Sequence, residues 1–436
     1  MDDVHPAIPF RLTGGPVLPI FDPQEGRNVH SRLFVEQAAS LPERDKKRRK
    51  LSTGTGERMK NILMGVSALA LATTIGGAGK AEAVQWDLDW GGYYNSAVIY
   101  RESDGLSDDQ EGIDLVQDGE IQFTPSIVTD NGLTFGAVVE IEADPTSSQT
   151  IDDSHVFVSG PFGRMDWGSE SGAASKMHYG APNVGWFGAA DGGDVNGYLG
   201  LTGIPNFGRS PAWGGAANRI SYYTPRFSGF QVGASYAHDD GQNKNSPNAS
   251  DYIDLFDVGA NYVNSFGAFD IAIGGVYSQA SGITNNGQNG TFRGIGQENE
   301  QEYSLGNLPA NAIIVTPATA PSNTQDADMY GGGITLGYAG FVLGGNYTKQ
   351  DLGAGDDRDY YDVGVAYTTG PWGVSFQYAH SEQGSADGDH FLGAATYEVS
   401  KGVVAGVYAG YGEGDAGDGS AEVDGFLVGT GFALSF

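Results

Sequence analysis

Carboxylates are the groups in this sequence best placed to do chemistry, and they recur at every second position. Asp114, Asp118, Glu120, Gln122 and Thr124 share one parity, as do Thr134, Glu140, Glu142 and Asp144. Along a strand, residues two apart face the same way. Each run therefore sets a polar face against an apolar one: Ile113, Leu115, Ile121, Phe123 and Ile127 in the first, Leu133, Phe135, Ala137, Val139 and Ile141 in the second. Carboxylates at that density require water, because burying unpaired charge is too costly. Along an aqueous path they would attract cations and repel anions. A soluble sandwich with one wet face would show the same alternation.

Other chemistry has little foothold. The run Gly412-Glu413-Gly414-Asp415-Ala416-Gly417 matches the dinucleotide fingerprint, but it leads from strand to strand, so no helix N-terminus faces a phosphate. His155, His178, His238, His380 and His390 lack the pairwise spacing of a zinc site. No G-x-S-x-G nucleophile turn occurs, and no enzymatic activity is expected. The acidic, glycine-rich stretches Asp351 to Asp359 and Gly412 to Asp424 supply oxygen ligands suited to loop-bound calcium, without the helix-loop-helix calcium pattern. Solvated acidic loops are the other reading of these stretches, and no cofactor is otherwise implied. Repeated G-G-x-G-x-D nonapeptides, which a secreted calcium-dependent repeat protein needs, are absent.

The elements that must carry these carboxylates announce themselves by a second repeat. Phe230, Val232, Ala234 and Tyr236 share one parity, as do Phe269, Ile271, Ile273 and Tyr277. Phe341, Leu343, Gly345 and Tyr347 repeat it, then Trp372, Val374, Phe376 and Tyr378, then Val403, Ala405, Val407, Ala409 and Tyr411. An apolar stripe with aromatic ends is what a strand crossing a bilayer presents to lipid, its ends at headgroup layers about 25 Å apart. Tight turns at 129–132, 160–163, 225–229, 264–267, 338–340, 370–373 and 400–402 alternate with longer polar stretches near 102–112, 145–151, 171–217, 238–251, 281–328, 350–359, 381–389 and 412–422. Fifteen connections imply sixteen strands, an even count with short turns at one end and long loops at the other. The expected fold is all-β: a 16-stranded antiparallel transmembrane barrel with short periplasmic turns and long extracellular loops. A barrel of that size encloses water.

Composition agrees. The 436 residues include 69 Gly and no Cys, so disulfides and Cys-type zinc clusters are excluded. Residues 1–83 hold 12 of the 23 Lys and Arg but only 9 of the 54 Asp and Glu, which leaves 84–436 strongly acidic. Such a surface repels nucleic acid. Residues 59–83 have the positive end, short apolar core and Ala81-Glu82-Ala83 cleavage site of a signal peptide, too short to span as a helix. Residues 1–58, with the basic run Arg44 to Lys50, are then either a misassigned-start extension upstream of Met59 or a basic leader. Neither belongs to the fold, which is expected over 84–436.

The runs FGRMDWGSESGA (162–173), NRISYYTPRFSGFQVGASYA (218–237) and GFLVGTGFALSF (425–436) resemble Gram-negative general porins of the α-proteobacterial type. The resemblance implies an outer-membrane channel, a homotrimer, contact with outer-membrane lipid and lipopolysaccharide, and a terminal aromatic, here Phe436, read by the assembly machinery. It also implies that the third long loop, 171–217, folds inward and forms the constriction. Asp191 and Asp194 lie in that loop, flanked by Trp186, Phe187, Tyr198 and Trp213. The equally long stretch 281–328 reads as exposed and mobile instead. Porins oppose acidic loop residues with an arginine ladder, and this chain departs from that. Ser169-Glu170 follows the Trp167-Gly168 step, and Ser221 to Pro225 replaces an arginine-led run. Lumen-parity cations are Arg101, Arg164 and Arg219, of which Arg164 and Arg219 flank the loop. Each either faces the constriction or anchors a loop carboxylate.

The expected function is passive diffusion of ions and small hydrophilic solutes through a cation-preferring pore. Asp191, Asp194 and the inner-wall acids Asp114, Asp118, Glu120, Glu140 and Glu142 would select the ions. A solute-specific channel with an aromatic binding site in the constriction is the first alternative; saturable uptake would distinguish it. An outer-membrane enzyme on a barrel scaffold is a more distant one, requiring Ser, His and an acid to converge on one outer face.

Overall fold

The computed structural model describes residues 86–104, 110–143, 151–186, 215–239, 252–284, 289–294, 301–304, 312–314, 322–352, 356–417 and 422–436, with Leu199, Leu201, Pro205 and Gly419. Residues 1–58 and 59–83 lie outside this set.

Alternation of outward apolar and inward small or polar residues drives the chain into strands. They are β1 (Asp87–Asp104), β2 (Gln110–Val128), β3 (Thr134–Glu142), β4 (Ile151–Gly160), β5 (Gly163–Glu170), β6 (Ala217–Tyr223), β7 (Phe230–Asp239), β8 (Tyr252–Phe266) and β9 (Phe269–Thr284). After them come β10 (Asn289–Gly294), β11 (Gln301–Ser304) and β12 (Ala312–Ile314). The last seven are β13 (Ser322–Tyr338), β14 (Phe341–Asp351), β15 (Arg358–Thr369), β16 (Trp372–Gln383), β17 (Ala386–Ser400), β18 (Val403–Asp415) and β19 (Val423–Ser435). Sixteen of these close into one antiparallel barrel in chain order, with β9 beside β13 and β19 beside β1. The short strands β10–β12 form a separate three-stranded sheet in the order β11-β10-β12. The one described helix is α1, Ala173–Lys176.

The closing seam is tied at its end by Phe436, whose N–H and C=O both bond to Gly92 at 3.1 Å. Its ring stays outside the barrel, 5.9 Å from that of Trp90.

Each strand separates its two faces cleanly. On β16, Trp372, Val374 and Phe376 are about half exposed, whereas Gly373, Ser375 and Gln377 between them are buried. Aromatic pairs band the barrel near its tight turns: Phe230 with Tyr262, Phe269 with Tyr338, Phe341 with Tyr367, and Trp372 with Tyr397, with ring centroids 4.3–4.7 Å apart. A second band runs along Tyr361, Tyr378, Phe391 and Tyr411. Two girdles flanking an apolar belt are the outer surface of a transmembrane barrel.

The tight turns reverse through a glycine in the left-handed region, as at Gly340 (φ 89°) and Gly402 (φ 76°). Two of the expected long connections differ. The stretch 381–389 is not a loop, because β16 runs to Gln383 and β17 begins at Ala386, paired throughout. A tight turn with Gly384 at φ 65° joins them. Its residues are polar on both faces because the strands continue beyond the apolar belt. The described residues of the stretch 281–328 are strand too: β9 and β13 pair as far as Thr284 and Ser322, and the strands of the small sheet fall between them in the sequence.

Val407 lies on the lipid face of β18 between the girdles, 54% exposed. Val407→Arg is expected to cost about 2–4 kcal/mol of folding free energy in a bilayer. Urea titration of folding into lipid vesicles measures it; a cost near zero would remove the belt from the hydrocarbon.

An inward loop and an acidic arc of wall

The loop after β5 turns into the barrel and lies along its inner wall. Inward-facing glycines on successive strands make room for it. A Cβ at Gly233 on β7 or Gly259 on β8 would stand 2.5 or 2.8 Å from Met177, and one at Gly274 on β9 would stand 2.3 Å from the Met177 carbonyl oxygen. On β13 and β14, Gly333 and Gly344 admit the Tyr179 and Gly180 carbonyls, and on β15 Gly364 admits the Ala181 side chain. These distances are below any that real Cβ atoms tolerate, so the furrow exists only because the residues are glycine.

Polar groups fasten the loop in this furrow. The Ala173 N–H donates to Ser235 Oγ at 3.0 Å, Ala181 N–H to Asp362 Oδ1 at 2.7 Å and Val184 N–H to Ser375 Oγ at 3.2 Å. Lys176 on α1 pairs with the buried Glu170 of β5. Past this stretch Trp186 packs edge-on against Tyr408 at 5.3 Å. Together with Leu199 and Leu201 it enters a buried apolar cluster containing Ile99, Tyr360, Leu392 and Leu427. Ser381 Oγ also donates to the Pro205 carbonyl at 3.0 Å. Contacts of the described loop residues thus fall on β5 through β9, β13 through β19, and β1.

The arc formed by β2, β3 and β4 carries the carboxylates. Ligand oxygens of Glu120, Glu142 and Asp152 lie within 4.8 Å of one another, as do those of Glu140, Asp152 and Asp153. At about 4 Å, two unit charges repel by about 1 kcal/mol in water and about 4 kcal/mol near a protein surface. The five groups make this the acidic part of the described wall, and their mutual repulsion keeps them from all carrying full charge at once. Tyr93 and Asn95 donate to Asp118 at 3.3 and 3.4 Å, and Gln122 donates to Glu140. These donors hold the carboxylates toward the lumen without neutralising them.

Each residue singled out from the sequence has a definite place, apart from Asp191, Asp194, Asp144, Phe187, Tyr198 and Trp213, which lie outside the described residues. Asp118, Glu120, Glu140 and Glu142 are brought together on the arc. Asp114 stands away from them, exposed, 3.6 Å from Arg101 Nη2. Arg219 does not face open lumen: it is 3% exposed and its Nη1 donates to Asp257 Oδ2 at 2.8 Å. That carboxylate belongs to the wall, on β8, and Ser235 and Ser278 donate to it as well. Arg164 is part-exposed at the turn end of β5, with Nε 2.8 Å from Asp166 Oδ1 and its guanidinium 4.0 Å from the Phe157 ring.

Sequence reasoning missed Asp152, Asp153, Asp257, Asp362 and Lys176. Asp153 shares a parity with His155 and Phe157, so continuing the alternation one step upstream would have found it. It also missed that His155, Asp166 and Glu170 meet with ligand atoms within 4.8 Å. Arg164 and Lys176 already supply positive charge to those two carboxylates. Lys349 Nζ stands 3.1 Å from both Asp357 and Asp359, in the acidic stretch before and within β15.

Comparison with known proteins agrees with this architecture. The porin of Rhodobacter capsulatus is 26% identical over 260 residues, 57% of this chain and 82% of that protein. The anion-selective porin from Comamonas acidovorans shares the fold at a TM-score of 0.52 and 18% identity, covering 81% of this chain and 100% of that one. The outer membrane channel DcaP of Acinetobacter baumannii does so at 0.53 and 12%, covering 83% and 100%. Residues 65–419 match the Gram-negative porin family. With that match over most of its length and a closed barrel of sixteen strands, the chain belongs to the Gram-negative porin family and resides in the outer membrane.

Proposed function

We propose that this porin passes cations in preference to anions, by passive diffusion along the acidic arc. The observation that carries the reading is the cluster of carboxylates that β2, β3 and β4 bring together. The described loop residues touch the wall from β5 around to β1, and the arc of β2 to β4 carries Asp118, Glu120, Glu140, Glu142, Asp152 and Asp153. Described cations on the inner wall and at the start of the loop are engaged in pairs: Arg101 with Asp114, Lys176 with Glu170, Arg164 with Asp166 and Arg219 with Asp257. The relative from Comamonas is anion-selective by its own description, so the barrel as such does not dictate the sign, and the wall residues must. Asp191 and Asp194 would add to the same sign from the loop.

A solute-specific channel is the second reading, with the loop aromatics as its binding surface. Trp186 is buried against Tyr408, which favours simple diffusion. The outward apolar residues of the early strands, Val98, Ile113, Leu115 and Val156, suit contact with further copies as well as lipid, and a homotrimer is the proposed assembly.

Reversal potentials in planar bilayers under a KCl gradient test the sign. Potassium preference is expected, and combining Asp118→Asn, Glu142→Gln and Asp152→Asn should move the reversal potential toward zero. Chloride preference in the unmodified protein would overturn the reading. The preference should be marked at 0.1 M salt and weak at 1 M, as the screening length falls from about 10 Å to about 3 Å. Selectivity unchanged across that range would point to size rather than charge.

A further inference from the structure

Two wall strands grip the loop by a single residue. The Ala181 N–H donates to Asp362 Oδ1 at 2.7 Å, and the Ala181 carbonyl accepts from Gln377 Nε2 at 3.1 Å. The Ala181 methyl lies over Gly364, where an added Cβ would meet it at 2.9 Å. Gly364 and Gln377 are cross-strand partners on β15 and β16, and Asp362 is two residues along β15. The three form one seat. Beside it, Ser375 Oγ accepts from Val184 N–H and donates to Asn183 Oδ1 at 3.0 Å.

The flanking stretches are held differently. Upstream, Tyr179 and Gly180 rest on Gly333 and Gly344, and the bond from Thr335 Oγ1 to the Gly180 carbonyl is long at 3.5 Å. Downstream, Trp186 packs edge-on against Tyr408 within the buried apolar cluster. The seat on β15 and β16 is therefore where both the donor and the acceptor of one loop residue are fixed, in a direction packing alone cannot define. A hydrogen bond to a carboxylate is stronger than one between neutral groups. Asp362 is buried, and its second oxygen accepts from Tyr360 Oη at 3.1 Å. It is thus committed to neighbours rather than to ions in the lumen.

We propose that Asp362 is a positioning residue for the channel. It fixes how far the loop stands from the acidic arc, and so the width of the path, by accepting the Ala181 N–H rather than by presenting charge to permeating ions. The inference rests on the channel reading above.

Three variants separate the roles. Asp362→Asn keeps an oxygen for the Ala181 N–H and removes the charge. Asp362→Ala removes both, and Gln377→Ala removes the other half of the grip while leaving the carboxylate. Each is first shown to be a folded barrel by its electrophoretic shift on heating, then measured for single-channel conductance, open-channel noise, KCl reversal potential and the size limit for neutral sugars in liposome swelling. The expected result is wild-type behaviour for Asp362→Asn. Asp362→Ala and Gln377→Ala should both show raised conductance, raised noise and a larger size limit. Should Asp362→Ala fail to fold, Gln377→Ala against Asp362→Asn still decides. A reversal potential shifted in Asp362→Asn at unchanged conductance would overturn the proposal and make Asp362 a charge in the ion path. Folded Gln377→Ala and Asp362→Ala barrels with unchanged conductance and size limit would overturn it as well. If the unmodified protein forms no channel, the failure belongs to the channel reading instead.

Discussion

In hydrocarbon a peptide group has no water to bond, and every other property of this protein follows from that constraint. An open sheet would leave two edges unpaired, so the strands must close, and the seam between β1 and β19 is registered from Tyr93–Ser435 to Asp104–Asp424. Closure forces each strand to sort its residues by parity, apolar outward and small or polar inward. The outward set is anchored by the two aromatic girdles. The inward set is then free to serve another purpose, because lipid never tests it.

That freedom is used unequally around the circumference. From β7 to β15 the inward positions at mid-height are glycines, and the loop is pressed into the space they leave. From β15 round to β1, apolar inward residues such as Tyr360, Leu392 and Leu427 pack against Trp186, Leu199 and Leu201, between polar ones that bond the loop. From β2 to β4 they are carboxylates. The ion pair of Arg219 with Asp257 belongs to the filled part of the wall. Removing one member of such a pair leaves an uncompensated buried charge and is strongly destabilising, so its role is to hold β6 and β8 behind the start of the loop.

The strand count was legible in the sequence because it rests on local signals, whereas the inward course of the loop was implied only by the resemblance to general porins. Alternation survives in single stretches such as Trp372 to Tyr378, and the turns are marked by Gly340, Gly370 and Gly402. The reading failed at 381–389 because polarity marks the end of the lipid belt rather than the end of a strand. Nor could it give the partner of Arg219, which depends on β6 and β8 both standing beside β7, or the meeting of Glu120 with Glu142 and Asp152, which depends on the register of β2 against β3. The glycine furrow was hidden for another reason: a small residue at an inward position reads the same whether it faces water or another segment of the chain.

The seat of the loop also has a chronology. The loop leaves the barrel wall after β5, but the groups that hold Ala181 are Asp362 and Gln377, separated from it by 181 and 196 residues. Contacts so distant along the chain form only after the intervening segments are ordered. Ala181 cannot take its seat until β15 and β16, from the last third of the sequence, have joined the sheet. A barrel still short of β15 and β16 would hold the start of the loop against β7 to β9 but would lack both groups that fix Ala181.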